Sequence, residues 1–104
     1  MLVLGMLVHL KDTHQIVSNR ESGDGRYDVM IIPKNLSHLG IVIEFKIAEK
    51  ETGESLEKAA DLALKQIHDK GYVTEMHARG IKNVLVYGIA FLGKQILVRS
   101  ERVV

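Results

Sequence analysis

The sequence predicts an α/β domain in which a mixed β-sheet is flanked by helices. Runs rich in β-branched and aromatic residues alternate with runs whose apolar residues recur at the 3.6-residue period of a helix. Helices are predicted between the third strand and the last two, and a helical crossover of this kind makes part of a sheet parallel. The length of 104 residues fits one domain, residues 1–104, and is too short for two.

Composition leaves the choice of function open. The chain has no cysteine, which excludes disulfides and thiolate metal sites and is compatible with the cytoplasmic location that we expect. Its 14 basic and 13 acidic residues give a net charge of +1, which is no strong electrostatic footprint for nucleic acid or membrane. A near-neutral charge does not exclude phosphate binding, because acidic side chains elsewhere can offset basic residues that face phosphates.

The first ten residues, Met1 to Leu10, are nearly all apolar. They are too few to span a bilayer, which needs about 20 residues, and they lack the basic region and cleavage site of a signal peptide. We therefore predict a helix over residues 2–11 that is buried against the sheet or against another chain. Such a helix at the initiator methionine indicates that part of a larger parent domain precedes it, and apolar surface left uncovered there would favour a homodimer.

Three strands are predicted in the first half of the chain. The first covers His14–Asn19, and turn formers at residues 21–25 connect it to a second strand at Arg26–Ile32. Pro33 ends that strand because it cannot donate a hydrogen bond to a ladder. The third strand, Gly40–Ala48, is rich in β-branched residues.

The second half predicts helices followed by a hairpin. The first helix extends from Ser55, a plausible N-cap, to Lys70, with Gly71 placed to end it. One or two further helical turns are predicted at Val73–Arg79. The last two strands are predicted at Val84–Phe91 and Gln95–Val98, joined by a turn at residues 92–94.

Three charged residues lie inside the apolar second and third strands. Glu44 and Lys46 are two apart and share one face of their strand. A hairpin symmetric about residues 34–39 would place Asp28 opposite about position 45, so that it neighbours both. Charged groups inside such strands are costly unless they are paired or used in chemistry.

This acidic pair predicts a site for a hard divalent cation. Two close carboxylates repel each other unless a cation lies between them, and oxygen ligands suit Mg²⁺ or Mn²⁺ better than Zn²⁺. Such an ion can activate water for in-line displacement at phosphorus, while Lys46 orients the water or neutralises the developing charge. The alternative is a solvated edge strand in which Asp28 is a salt-bridge partner, and spacing alone does not separate the two interpretations.

The remaining charged residues indicate solvated surface. The charge run at residues 49–54 is typical of a solvated loop, and single basic residues such as Lys70 are weak candidates for phosphate contacts. The five histidines show no zinc-like spacing.

Longer motifs support the metal interpretation. They are the segments Ser18–Asp28, Ile43–Lys46, Gln66–Tyr72 and Tyr87–Lys94. With them, the chain resembles the PD-(D/E)XK nuclease superfamily, and specifically the nuclease-like domain at the C-terminus of bacterial AAA-ATPase-like proteins of unknown function. The resemblance extends from about Met1 to Val98 and implies a restriction-endonuclease-like core.

The resemblance also assigns roles to individual residues. Asp28 matches the motif aspartate, and Glu44 with Lys46 matches the (D/E)XK element, which implies that Asp28 and Glu44 bind Mg²⁺ or Mn²⁺. Gln66 matches a catalytic glutamine on the following helix. The resemblance further implies two additional site residues, Glu21 and Tyr72.

Two functions are carried forward from the resemblance. The first is a Mg²⁺-dependent phosphodiesterase, a deoxyribonuclease that hydrolyses DNA. The second is a non-catalytic nucleic-acid-binding or protein-interaction module that retains the nuclease fold. The intact set of aspartate, glutamate, lysine and glutamine favours the first, whereas the near-neutral charge and the missing upstream segment favour the second. The relatives place an ATPase domain before this one, which makes such a domain a predicted partner.

Overall fold

The computed structural model describes residues 13–21 and 26–104. The helix predicted at residues 2–11, the homodimer argued from it and the tip of the first hairpin at residues 22–25 lie outside the described residues. The described elements, in chain order, are β1 (His14–Glu21), β2 (Arg26–Pro33), β3 (Gly40–Ile47), α1 (Leu56–Asp69), α2 (Tyr72–Ala78), β4 (Val84–Leu92) and β5 (Gln95–Val103).

The five strands form one sheet in the order β1-β2-β3-β4-β5. The β3–β4 pair is parallel, and the other three pairs are antiparallel. The segment that joins β3 to β4 contains α1 and α2, because parallel neighbours need a crossover connection rather than a tight turn. The predicted fold class, an α/β domain with a mixed sheet and helical crossover, is therefore confirmed.

The ends of α1 follow the capping residues that the sequence predicts. The hydroxyl of Ser55 accepts a hydrogen bond from the backbone N–H of Lys58 at 3.1 Å, which satisfies one of the free donors of the first turn. After the C-cap, Lys70, the chain turns at Gly71, whose φ of 74° lies in the left-handed region that glycine adopts without strain. That turn starts α2 directly, so the last residues of α1 and the first of α2 stay close together.

The main core lies between the sheet and the two helices. It joins side chains of β2, β3 and β4, such as Met30, Val42 and Val86, to Ile67 of α1 and Met76 of α2. These strand residues have even numbers in β2, β3 and β4 and so lie on one face of the sheet. The face that carries this core is the same face that carries Asp28, Glu44 and Lys46.

Strand β5 is longer than the sequence predicts. The expected strand ended at Val98, but pairing with β4 continues to Val103. Residues 99–102 are all polar, so the hydrophobicity pattern does not predict a strand there. The backbone hydrogen bonds of the ladder form regardless of side-chain polarity. Two polar contacts with α1 accompany it: Arg99 Nε lies 3.3 Å from Asp61 Oδ1, and His68 Nε2 lies 3.1 Å from Glu101 Oε1.

No helix within residues 13–21 and 26–104 is long and apolar enough to cross a membrane.

Helix α1 lies unusually close to β4 at Gly88. A Cβ atom at this position would lie 2.6 Å from the carbonyl oxygen of Ala60 and 2.9 Å from the backbone nitrogen of Leu64. Both are backbone atoms of the helix, so a side chain could be accommodated only by moving α1 away from the sheet. Glycine at position 88 therefore sets the distance between α1 and the strands that carry the acidic pair.

We expect Gly88→Ala to lower the free energy of unfolding by about 1–3 kcal/mol, because overpacking against backbone forces the helix outward. Urea denaturation followed by circular dichroism measures this change. The matched control is Gly40→Ala, where the nearest atom to the new Cβ is the flexible Met76 Sδ, at 2.9 Å. Since that side chain can move, the control should cost less, and equal costs for the two variants would contradict the packing argument.

Candidate active site

The register of the β2–β3 hairpin brings the acidic pair together. Asp28 lies directly opposite Glu44, and position 26 lies opposite Lys46. The symmetric hairpin assumed from the sequence paired Asp28 with position 45, and this prediction was wrong by one residue. Directly opposite residues share a face, so the observed register places Asp28 beside Glu44 rather than on the face of Phe45. The expected convergence of Asp28, Glu44 and Lys46 on one face is present.

All three residues are buried. Asp28 is 2% exposed, Glu44 is 0% exposed and Lys46 is 5% exposed. Strand β3 has paired neighbours on both sides, β2 and β4. The alternative interpretation of a solvated edge strand is therefore wrong.

The countercharge of the acidic pair comes from Lys70, the C-cap residue of α1. Its ammonium lies 3.0 Å from Asp28 Oδ2 and 3.4 Å from each carboxylate oxygen of Glu44. One cation thus contacts both carboxylates, and hydrogen bonds to charged groups are the stronger ones in proteins. The sequence suggested Lys70 only as an isolated basic residue, since its distance to Asp28 depends on how α1 lies across the sheet.

Tyr72 is a second donor to Asp28. Its hydroxyl donates to Asp28 Oδ2 at 2.8 Å, the oxygen that Lys70 also contacts. Burial, together with the hydrogen bond to Asp28 and the negative charge of that carboxylate, raises the pKa of Tyr72 to about 12, whereas Asn19 and Lys70 act in the opposite direction. Tyr72 is therefore a neutral hydrogen-bond donor near pH 7.

Lys46 is held by a different carboxylate, Glu54. The ammonium lies 2.5 Å from Glu54 Oε1, an oxygen that also accepts the backbone N–H of Glu49 at 2.9 Å. The hydrogen bond from Lys46 is the main reason that the pKa of Glu54 is lowered; the Glu49 N–H and the charges of Lys46 and Lys58 add to the effect, and burial opposes it. The expectation of a solvated loop at residues 49–54 is thus wrong for Glu54, whose side chain is only 9% exposed.

The other predicted site residues have less direct positions. Gln66 is half-buried on α1, one helical turn before Lys70 and therefore on the same side of the helix. Its proposed role remains a prediction. Glu21 ends β1, where its backbone pairs with position 26, and its side chain is outside the described part of the structure.

The donor set fits a hard divalent cation. Three carboxylate oxygens of Asp28 and Glu44 already surround one positive group, the Lys70 ammonium, and oxygen ligands of this kind suit Mg²⁺ or Mn²⁺. Among residues 13–21 and 26–104, no group of three or more histidine, aspartate or glutamate residues is placed to hold a metal ion. Water or substrate oxygens would complete the coordination, as is usual for Mg²⁺.

The fold and this site together define a class of protein. A mixed sheet with a helical crossover carries a buried acidic pair on adjacent strands, and a buried lysine lies two residues after Glu44. This is the arrangement that the resemblance to PD-(D/E)XK nucleases implies. A model of the PD-(D/E)XK nuclease superfamily matches residues 1–101, and the chain belongs to this superfamily. Neither a search of curated proteins nor a search of solved structures gave a match. The association with an ATPase domain stays a prediction.

We expect Glu54→Gln to lower the free energy of unfolding by about 1–2 kcal/mol at pH 7, because a buried ammonium loses its charged partner. The pKa of Glu54 is lowered from its ordinary value of 4.5. The stabilisation is therefore complete well above pH 4.5 and is lost as the pH falls through the folded-state pKa. Urea denaturation of both proteins from pH 7 downwards should show the difference shrinking in acid.

The matched control for this measurement is Glu51→Gln, an exposed glutamate in the same loop. It should change stability little at any pH. A difference between Glu54→Gln and wild type that stays constant below pH 4.5 would argue against the Lys46–Glu54 pair as its origin.

Proposed function

We propose that this domain is a metal-dependent phosphodiesterase that hydrolyses DNA. The observation that carries the proposal is the buried pair of Asp28 and Glu44, directly opposite each other and both within contact distance of one cationic group. A purely structural role does not require two carboxylates to face each other at 2% and 0% exposure. Membership in the nuclease superfamily supplies the reaction class.

Asp28 and Glu44 would hold the divalent ion, Mg²⁺ or Mn²⁺. When bound, such an ion lowers the pKa of water and stabilises charge on phosphoryl oxygens. The Tyr72 hydroxyl donates to one oxygen of Asp28 and so orients that carboxylate. Because Asp28 and Glu44 are attached to directly paired strands, the ladder fixes the spacing of their backbone positions.

Lys46 would act on the water and on the charge that develops during hydrolysis. Its ammonium is buried on the same sheet face as the acidic pair and is held by Glu54. A fixed positive group near the reacting atoms stabilises developing negative charge without reorganising. The superfamily thus supplies the phosphodiester reaction class, the buried charges of the site support it, and the choice of DNA rests on the resemblance to nucleases.

One observation favours the second candidate, a non-catalytic module that keeps the fold. In the described residues both charge systems already have an internal partner of opposite charge, since Lys70 contacts the acidic pair and Glu54 contacts Lys46. Buried charges that are paired within the protein can form part of a stable core without any metal. Such a module would bind nucleic acid or protein through its surface and would show no metal-dependent cleavage.

We expect Lys46→Ala to reduce DNA cleavage by about 10²–10³-fold, because it removes the fixed charge beside the reacting phosphate. Asp28→Ala should abolish metal binding and cleavage together. Plasmid and linear DNA are incubated with each protein in Mg²⁺, in Mn²⁺ and in chelator, and the products are separated on gels. Circular dichroism confirms folding, which matters because Lys46 is buried.

The control is Lys94→Ala, an exposed lysine in the turn between β4 and β5. It should cleave DNA as well as wild type. Cleavage that is equal in Asp28→Ala, Lys46→Ala and wild type would indicate a contaminating enzyme, and absence of metal-dependent cleavage in wild type would favour the binding module.

A further inference from the structure

The ammonium of Lys70 lies where a cation shared by Asp28 and Glu44 would lie. It is 3.0 Å from one oxygen of Asp28 and 3.4 Å from both oxygens of Glu44. We propose that Lys70 is an internal stand-in for the divalent ion: it balances one of the two negative charges of the acidic pair in the metal-free protein and must withdraw before metal binds. The inference rests on the proposed metal site and assigns to Lys70 a role in controlling its occupancy.

Geometry makes the two occupants mutually exclusive. Mg²⁺ binds carboxylate oxygens at about 2.0–2.1 Å, so an ion that uses Asp28 and Glu44 would lie among the same oxygens that surround the Lys70 ammonium. A divalent ion and an ammonium placed that close together would repel each other strongly at a site shielded from water. Binding of the ion therefore requires the ammonium to leave.

Lys70 is able to leave, whereas the carboxylates are not. Its side chain is 18% exposed, compared with 3% for Asp28 and 0% for Glu44. It lies at the end of α1, next to Gly71 in the left-handed region, and its four-carbon stem ends in a flexible charged head. The carboxylates, in contrast, are attached to directly paired strands. The mobile partner is thus the lysine.

The position of Lys70 lowers the apparent affinity for metal and stabilises the folded protein in the absence of metal. The apparent affinity for metal is reduced by the fraction of molecules in which Lys70 has withdrawn. In return, the metal-free protein avoids two facing, uncompensated buried carboxylates, which would be strongly destabilising. Lys46 does not replace Lys70 in this role, because its ammonium contacts Glu54.

Lys70→Met tests the inference, since methionine keeps an unbranched stem and removes the charge. We expect Mn²⁺ to bind Lys70→Met at least about tenfold more tightly than wild type in isothermal titration calorimetry. The control is Lys65→Met, a lysine on the same helix whose ammonium lies 3.0 Å from Asp69 and whose side chain is 68% exposed. Its Mn²⁺ affinity should equal that of wild type.

Thermal unfolding supplies a second readout that does not depend on activity. Without metal, Lys70→Met should unfold at a lower temperature than wild type, and saturating Mn²⁺ should raise its midpoint by more than it raises that of wild type. If Lys70→Met does not fold without metal, recovery of its circular dichroism spectrum on addition of Mn²⁺ supports the stand-in. Lys70→Gln, which keeps a polar head without charge, should behave in the same way.

Different failures identify different errors. Suppose that wild type cleaves DNA. If both Lys70 variants then bind Mn²⁺ no more tightly than wild type, or if they fold neither with nor without Mn²⁺, the role proposed for Lys70 is wrong and the nuclease proposal stands. If wild type and both variants bind no Mn²⁺ at millimolar concentration, the metal site and the stand-in are both wrong. The three charged residues would then be a permanent ion-pair cluster.

Discussion

The structure depends on two carboxylates that face each other inside the domain. Asp28 and Glu44 are direct partners in the β2–β3 ladder, and both are almost completely buried. Their repulsion in a poorly solvated environment has to be offset by positive charge and by donated hydrogen bonds. Lys70 and Tyr72 supply both, and the two residues are brought there by the turn at Gly71 between the helices.

The packing of the crossover helix serves the same requirement. Glu44 is paired with Gly88 in the parallel ladder. At Gly88 the backbone of α1 lies so close to the sheet that a Cβ atom would clash with it. Because position 88 has no side chain, α1 can pack directly against the backbone of β4. The Lys70 ammonium at the end of α1 then reaches the acidic pair. Glycine at position 88 thus affects the distance between α1 and the sheet, and through it the contact of Lys70 with the acidic pair.

A second charge system lies beside the first. Lys46 is paired with Glu54, which also binds the backbone of the loop that leads from β3 into α1. The buried charges of the site therefore contact groups of opposite charge: Asp28 and Glu44 share the lysine at the helix end, and the motif lysine pairs with a glutamate from the loop. These two arrangements pair the buried charges of the site within the domain itself.

The sequence by itself determined the local structure and the core of the site. The capping of α1 by Ser55, its end at Gly71 and the placement of Glu44 and Lys46 on one strand face follow from patterns of neighbouring residues. Such features depend on interactions within a few positions, so a periodicity or a motif reveals them.

Only the tertiary structure decided the register and the partners of the buried charges. The pairing of Asp28 with Glu44 differed by one position from the symmetric hairpin, and the extension of β5 to Val103 was invisible in a polar stretch. Lys70 and Glu54 looked like solvated charges in the sequence. Lys70 contacts residues 42 and 26 positions away in the chain, and Glu54 contacts Lys46 only because the intervening loop folds back. Contacts of this kind depend on how helix and sheet pack, which no local pattern of residues encodes.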